Sequence, residues 1–238
     1  MRNLEEFNGK FKDRIGIVIG AGPSIADVDT ELLRDHVTIA VNSGYCAVPW
    51  ADFFVSDDWS VAHWSYFFRD LRQSEHTTAL LYEDKLAKTA GWFDDRAVLF
   101  RHRKGISISD TYSHSDHKKY IGETRTSVGT AIMIAHVMGC SKIVLLGVDG
   151  RRRNGFRYFW QTSAKQPYRN DNVPVDKYRK VKSAGQITDS DLLDINRSWN
   201  DFGTAVNAKC TVYNCSEDSA LNIFPKASLS NTLYDRDS

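Results

Sequence analysis

Apolar residues along the chain come in short, separated runs. Residues 15–20 (IGIVIG), 37–41 (VTIAV), 52–56 (DFFVS), 78–82 (TALLY), 97–101 (AVLFR), 142–147 (KIVLLG) and 211–214 (TVYN) have the length of strands. Their near-continuous apolar character predicts strands covered on both faces. Helices are predicted between them. A short one starts near Ser24, with Ser24 or Asp27 as its cap, and an aromatic-rich one spans 59–73. A third covers 126–139 and is ended by glycine, and a fourth, rich in Leu, Ile and Trp, covers 189–208. Residues 102–124 are polar and read as a long loop, and Phe224-Pro225 is expected near the end of the ordered fold. Alternation of strand and helix predicts an α/β fold: one Rossmann-like domain over 1–238, a mostly parallel sheet with helices on both faces.

Composition narrows the classes. The 238 residues are 42% hydrophobic and 26% charged, with a formal net charge of +1, an ordinary globular balance. Disorder and collagen-like sequence are excluded. No window holds eighteen consecutive apolar residues, so no integral membrane segment is expected. The start, MRNLEEFNGKFKDR, has acids where a signal peptide is apolar. Cys46, Cys140, Cys210 and Cys215 form no CxxC pair, which predicts reduced, mostly buried thiols and a cytoplasmic protein. The near-neutral total hides an asymmetry. Residues 151–182 hold ten Lys/Arg against two Asp, a local +8 that leaves −7 for the rest. This block follows a strand end, where ligands bind in α/β sheets, and 151–188 reads as a basic lid-like insertion facing an anion.

Candidate chemistry gathers at predicted strand ends. Gly20-Ala21-Gly22-Pro23-Ser24 lies between a strand and a helix. Glycines admit a ligand close to the backbone, and a helix start offers N–H groups to a phosphate. A tight turn is the plain alternative, since the loop is neither GxGxxG nor a Walker loop. Asn42, Asp57, Asp58 and Asp149 follow strands that would share one sheet edge. Asn42 would bind a base or ribose. Asp57 and Asp58 would hold a divalent metal, bind a hydroxyl or act as a base, although capping suits Asp58 better. Asp149 would instead brace the glycine loop. Arg125 precedes a helix capped by Thr126 or Ser127 and suits a phosphate or carboxylate. His102, His114 and His117 are the natural general-base candidates, while His136 reads as a packed core residue. His114 and His117 lack a third metal ligand, so no metal site is assigned. In Asn154-Gly155-Phe156-Arg157-Tyr158-Phe159-Trp160, Arg157 and Tyr158 would grip a phosphate and Trp160 would stack on a ring. The acidic remainder of the chain argues against an extended nucleic-acid footprint.

The runs IGIVIGAGPSI, AVNSG, RTSVGTAIMIAHVMGCSKIVLLGVDG and VYNCSEDSALNIFP occur in that order. Over roughly residues 14–229 they resemble a superfamily. It joins bacterial family 42 sialyltransferases, motility-accessory-factor glycosyltransferases and archaeal-type 6-hydroxymethylpterin diphosphokinases, and includes small phage-encoded relatives. The resemblance implies a glycosyltransferase-type nucleotide site. By it, Gly20, Gly22, Pro23, Ser24 and Asn42 match residues that hold the nucleotide of the donor, Ser127 and Asp149 fall beside them, and Arg125 and Tyr158 match phosphate-binding positions. The sialyltransferase histidine base has no counterpart in Tyr178-Arg179-Lys180-Val181-Lys182-Ser183, and the first phosphate-binding tyrosine falls near Arg151, Arg152 and Arg153.

Three functions follow. The first is transfer of a glycosyl group from a CMP-sugar or nucleoside-diphosphate-sugar to a small-molecule or glycan acceptor. Arg125, Arg151, Arg152, Arg153 and Tyr158 would stabilise the departing phosphate, and Asp57 or a loop histidine would take the acceptor's proton. The second is diphosphate transfer from ATP, with Mg2+ on Asp57, Asp58 or Asp149. The third is a non-catalytic nucleotide-binding protein. No tightly bound cofactor is expected beyond the nucleotide donor. Trp59, Trp64, Tyr66, Phe67 and Phe68 are read as core, acceptor wall or homo-oligomer interface.

Overall fold

The structure is a computed structural model. It describes residues 2–103, 120–122, 126–162, 166–167, 199–200, 202–204, 206–207 and 210–234. Nine strands are found among the described residues: β1 (Arg2–Asn3), β2 (Ile15–Ile19), β3 (Val37–Val41), β4 (Phe53–Ser56), β5 (Thr78–Tyr82), β6 (Ala97–Arg103), β7 (Tyr120–Gly122), β8 (Lys142–Leu146) and β9 (Thr211–Asn214). All the strand pairs are parallel, in the order β1-β6-β5-β4-β3-β2-β8-β9, with β7 paired to the far end of β6. From the central β2 the chain winds out through β3, β4, β5 and β6, then returns to place β8 on the other side. That reversal makes β2/β8 a topological switch point.

The strands are apolar on both faces because both faces are packed. Val18, Ile39, Val55, Val98 and Ile143 point to one core, while Ile17, Ala40, Phe54, Leu99 and Val144 point to the other. On the first face lies helix α2 (Ser127–Val137), whose side chains from Gly129 to Ala135 are all buried. On the second lie α1 (Glu83–Ala90), the 3₁₀ turns Pro23–Asp27 and Thr30–Leu33, and α3 (Leu229–Tyr234).

Three expectations about elements change. The helix expected over 59–73 is two pieces, a 3₁₀ turn Trp59–His63 and a π-helical turn Tyr66–Leu71, because Trp64 adopts an extended backbone between them. The helix start near Ser24 is a 3₁₀ turn whose cap is Gly22, with neither Ser24 nor Asp27 capping it. The loop at 102–124 begins later than expected: β6 runs on to Arg103 and is paired by β7. Phe224-Pro225 lies near the end of the described residues, followed by α3. Of the helix expected over 189–208, Trp199, Asn200, Phe202, Gly203, Thr204, Val206 and Asn207 are helical and the rest lies outside the described residues. Most of the basic insertion lies outside them too. The four cysteines are free; Cys140 is buried and the other three are half-buried.

Candidate functional site

Because the ladder is parallel, the ends of β2, β3, β4, β6 and β8 share an edge, and the chain is shaped there by close approach. A Cβ on Gly44 would stand 2.3 Å from the Ile19 carbonyl oxygen, and one on Gly20 would stand 2.4 Å from the Gly147 oxygen. Gly147 itself sits at φ +63, where only glycine is unstrained. Three strand-end turns are thus drawn together with no room for side chains.

The glycine loop does not present its amide to the crevice. Ser24 donates its backbone N–H to Asp149 Oδ2 at 2.8 Å and its hydroxyl to Asp149 Oδ1 at 2.5 Å. A carboxylate of the protein occupies the position in which a phosphate was expected. Gly22 is what admits it, since a Cβ there would lie 2.4 Å from Asp149 Oδ2. Pro23 begins the turn that follows and is buried. Burial pushes the Asp149 carboxyl up, offset in part by the Ser24 hydrogen bonds and by Arg151 and Arg153. Asp149 therefore braces the loop, the alternative that its strand-end position left open.

A second polar cluster on the edge lies one strand over. Asn42 follows β3 at φ +50, a left-handed backbone that asparagine tolerates. Its Nδ2 donates to Ser127 Oγ at 3.3 Å. Ser127 in turn donates to Asp57 Oδ1, and Thr130 Oγ1 donates to Asp57 Oδ2 at 3.1 Å. Ser127 and Thr130 are three apart on the first turns of α2, hence on one face. Thr126 caps that helix by accepting from Gly129 N at 3.0 Å. Burial would raise the Asp57 carboxyl, but the adjacent His102 imidazole and the hydrogen bonds from Ser127 and Thr130 outweigh it and hold the group below its ordinary value. His102 Nε2 stands 3.5 Å from Asp57 Oδ2, and its Nδ1 lies 3.2 Å from the Gly122 oxygen. Two buried atoms here have no hydrogen-bond partner, Asn42 Oδ1 and His102 Nε2. The Ser127 hydroxyl, already donating to Asp57, can only accept from Asn42, which fixes the amide with its oxygen turned away and unsatisfied.

The segment after Asp149 hangs over the glycine loop. Asn154 and Gly155, at φ +52 and +81, form the two-residue turn that the Asn-Gly pair favours, closed by the Arg153–Phe156 bridge. Phe159 N donates to the Ala21 oxygen at 3.1 Å. Tyr158 stacks on Trp160 at 5.1 Å, and Trp160 meets Trp64 at 5.7 Å. Arg157 Nη1 and Trp160 Nε1 are buried without a partner. The basic run is not free to face an anion as a unit: Arg153 pairs with Asp27, and Arg151 pairs with Asp218 at 3.1 Å. Arg152 donates to the Gly155 oxygen at 3.4 Å. Of the crowded aromatics, Tyr66 and Phe67 are core and Trp64 belongs to this wall.

Asp58 is a cap, accepting from Ser60 N at 2.9 Å and Ser60 Oγ at 2.8 Å. Asp57, Asp58 and Asp149 are thus committed to separate partners, and no group of three metal-binding side chains occurs among the described residues. Arg125, His114 and His117 lie outside the described residues. Sequence reading missed the Asp57–His102 pairing, Thr130 and the Gly122 carbonyl. Period-two alternation carries the signal for the pairing: Val55 and Asp57 share a face, as do Phe100 and His102, and both faces meet α2.

The chain is similar in structure to the MAf glycosyltransferase from Magnetospirillum magneticum AMB-1, with a TM-score of 0.53 and 14% identity over 94% of this chain and 37% of that one. It also has a weaker likeness to two structures of the sialyltransferase CstII from Campylobacter jejuni. The one with the substrate analogue CMP-3FNeuAc has a TM-score of 0.45, 14% identity and coverage of 92% and 87%. The one with cytidine-5'-monophosphate has a TM-score of 0.48, 17% identity and coverage of 91% and 86%. No protein-family model and no curated protein matches the chain. No helix among the described residues is long and apolar enough to cross a membrane. The chain spans 37% of the MAf protein's length, and what the two share is a parallel α/β fold.

Proposed function

We propose that this protein is a transferase that binds a nucleotide-activated sugar, a CMP-sugar or nucleoside-diphosphate-sugar, at the edge formed by β2, β3, β4 and β8. The observation that carries the reading is the buried, unpartnered Asn42 Oδ1. A buried acceptor without a donor costs about 1–3 kcal/mol, a cost a ligand hydroxyl or amino group would remove. Ribose and a nucleobase with an exocyclic amine both offer such donors. The fold of the MAf neighbour, a glycosyltransferase, supports the same reading. In it, Asn42 and Ser127 hold the nucleoside, and the loop of Gly20, Gly22, Pro23 and Ser24, locked by Asp149, forms the floor. Tyr158, Arg152 and Arg125 serve the phosphate. Phosphate is met by this overhanging segment rather than by the Ser24 amide, which Asp149 already uses.

Thermal denaturation with CMP, CDP, UDP, GDP and ATP, with and without Mg2+, tests it through binding linkage. Stabilisation by CMP or a nucleoside diphosphate is expected. Asn42→Gly, which keeps the left-handed backbone, should abolish that stabilisation while the unliganded protein stays folded. A Mg2+-dependent preference for ATP would replace this reading with diphosphate transfer. Stabilisation with no turnover of any activated sugar would reduce it to nucleotide binding.

A further inference from the structure

We propose that Arg157 Nη1 and Trp160 Nε1 form an oxyanion site of their own, taking the oxygens of a phosphoryl or carboxylate group beside the Tyr158 ring. Neither residue belongs to the nucleotide site proposed above, and the inference does not depend on that reading.

The two nitrogens are buried and have no hydrogen-bond partner among the described residues. Each carries hydrogen and no lone pair to share, so each can only donate. They flank one ring. The Arg157 guanidinium stands 5.0 Å from the Tyr158 centroid, and the Trp160 ring stacks on Tyr158 at 5.1 Å with an interplanar angle of 10°. Trp160 is 7% exposed and also tilts against Trp64. Its ring is therefore packed within the protein and is not offered to the ring of a ligand, as its place in the sequence suggested. What it retains for a ligand is the indole N–H.

The segment is held so that these donors keep their places. Gln161 Oε1 accepts from the backbone N–H groups of Arg157 and Tyr158, both at 2.8 Å, and Phe159 N is tied to the Ala21 oxygen. Charge selects the ligand. Burial pushes the Tyr158 hydroxyl up, and of the charged groups that reach it Arg157 and Arg152 are positive and only Asp58 is negative. The Asp58 carboxylate is committed to capping Ser60. A guanidinium and an indole N–H, left over in a positive setting, suit a group with several acceptor oxygens, a negative charge and no hydrogen to give. Phosphoryl and carboxylate groups share that chemistry.

The indole N–H reports on the site directly. In proton–nitrogen-15 spectra of the full chain, the Trp160 resonance is identified by its loss in Trp160→Phe. Titration with inorganic phosphate and, separately, with acetate should move it downfield as the N–H gains an oxygen acceptor. The anion that saturates at the lower concentration tells phosphoryl from carboxylate. Arg157→Gln should weaken that anion about 10-fold or more, because hydrogen bonds to a charged donor are lost. Trp160→Phe keeps the aromatic wall and should reduce the anion's stabilisation of the fold in thermal denaturation, which tests the site even if Arg157→Gln does not fold. A resonance shifted upfield by an aromatic ring under the N–H and moved by neither anion overturns the proposal. So does an affinity unchanged in Arg157→Gln, or full anion stabilisation in Trp160→Phe. A wild-type protein that no nucleotide stabilises, with the Trp160 response intact, overturns the donor reading and leaves this site standing.

Discussion

Asp149 shows how one side chain changes the meaning of a motif. The glycine loop has the composition of an anion cradle, and its Ser24 amide does bind an anion, but that anion is the protein's own carboxylate. Burial raises the Asp149 carboxyl, so its folded-state pKa exceeds the unfolded one. The stability linked to it is present below the ordinary carboxylate range and is lost as pH rises through the raised value. Asp149→Asn removes that loss while keeping an acceptor for the Ser24 amide. In urea denaturation the variant should gain on wild type as pH rises from about 4 toward neutrality, and the two should converge in acid. Asp57 is the opposite case, its folded carboxyl held low, so its contribution is present at neutral pH and fades as pH falls through the depressed value. Gly22→Ala would place a Cβ 2.4 Å from Asp149 Oδ2, and a loss of about 1–3 kcal/mol in the same assay is expected.

Among elements, α2 has two duties. Its buried side chains from Gly129 to Ala135 fill one face of the sheet, and its first turn delivers Ser127 and Thr130 to Asp57. Thr126→Ala removes the cap and should cost about 1 kcal/mol in denaturant unfolding. Position and cap of this helix were legible in the sequence, because a polar-to-apolar boundary at Thr126 and a terminal glycine are local signals. The break in 59–73 was not. It depends on Trp64 turning toward Trp160, a residue nearly a hundred positions away. The pairing of β7 with β6 was equally hidden, since three residues in a polar stretch carry little pattern of their own.

The molecule as a whole is held at the site by its last strand. Asn214, fully buried at the end of β9, accepts from Ser216 N at 3.0 Å and donates to Ser219 Oγ at 2.9 Å. Ser216 Oγ accepts from Val148 N at 3.0 Å, and Ser219 Oγ donates to the Val148 oxygen at 2.7 Å. Ala220 N donates to the Asp149 oxygen at 2.7 Å. The C-terminal VYNCSEDSAL run is thus a clamp on the turn that carries Asp149. Asn214→Ala should cost about 2–3 kcal/mol, by stranding several buried polar groups, and should weaken the proposed nucleotide stabilisation through the turn that carries Asp149. Loss of stability with full retention of the nucleotide response would separate the clamp from the site.

The parallel sheet, its two packed faces and the edge on which polar residues gather follow from the sequence alone. Continuous apolar runs must be covered on both sides, and parallel strands carry their following residues to one edge. Which of those polar residues face each other was decided only by tertiary structure. Asp149 turns to Ser24, Asp58 caps its own turn, and Asp57 meets His102 and α2. The Asp58 cap is local, two positions away, and was legible. The partners of Asp149 and Asp57 lie 125 and 45 to 73 positions away, and pairing at such distances is set by the packing of strands and helices, which no local pattern encodes.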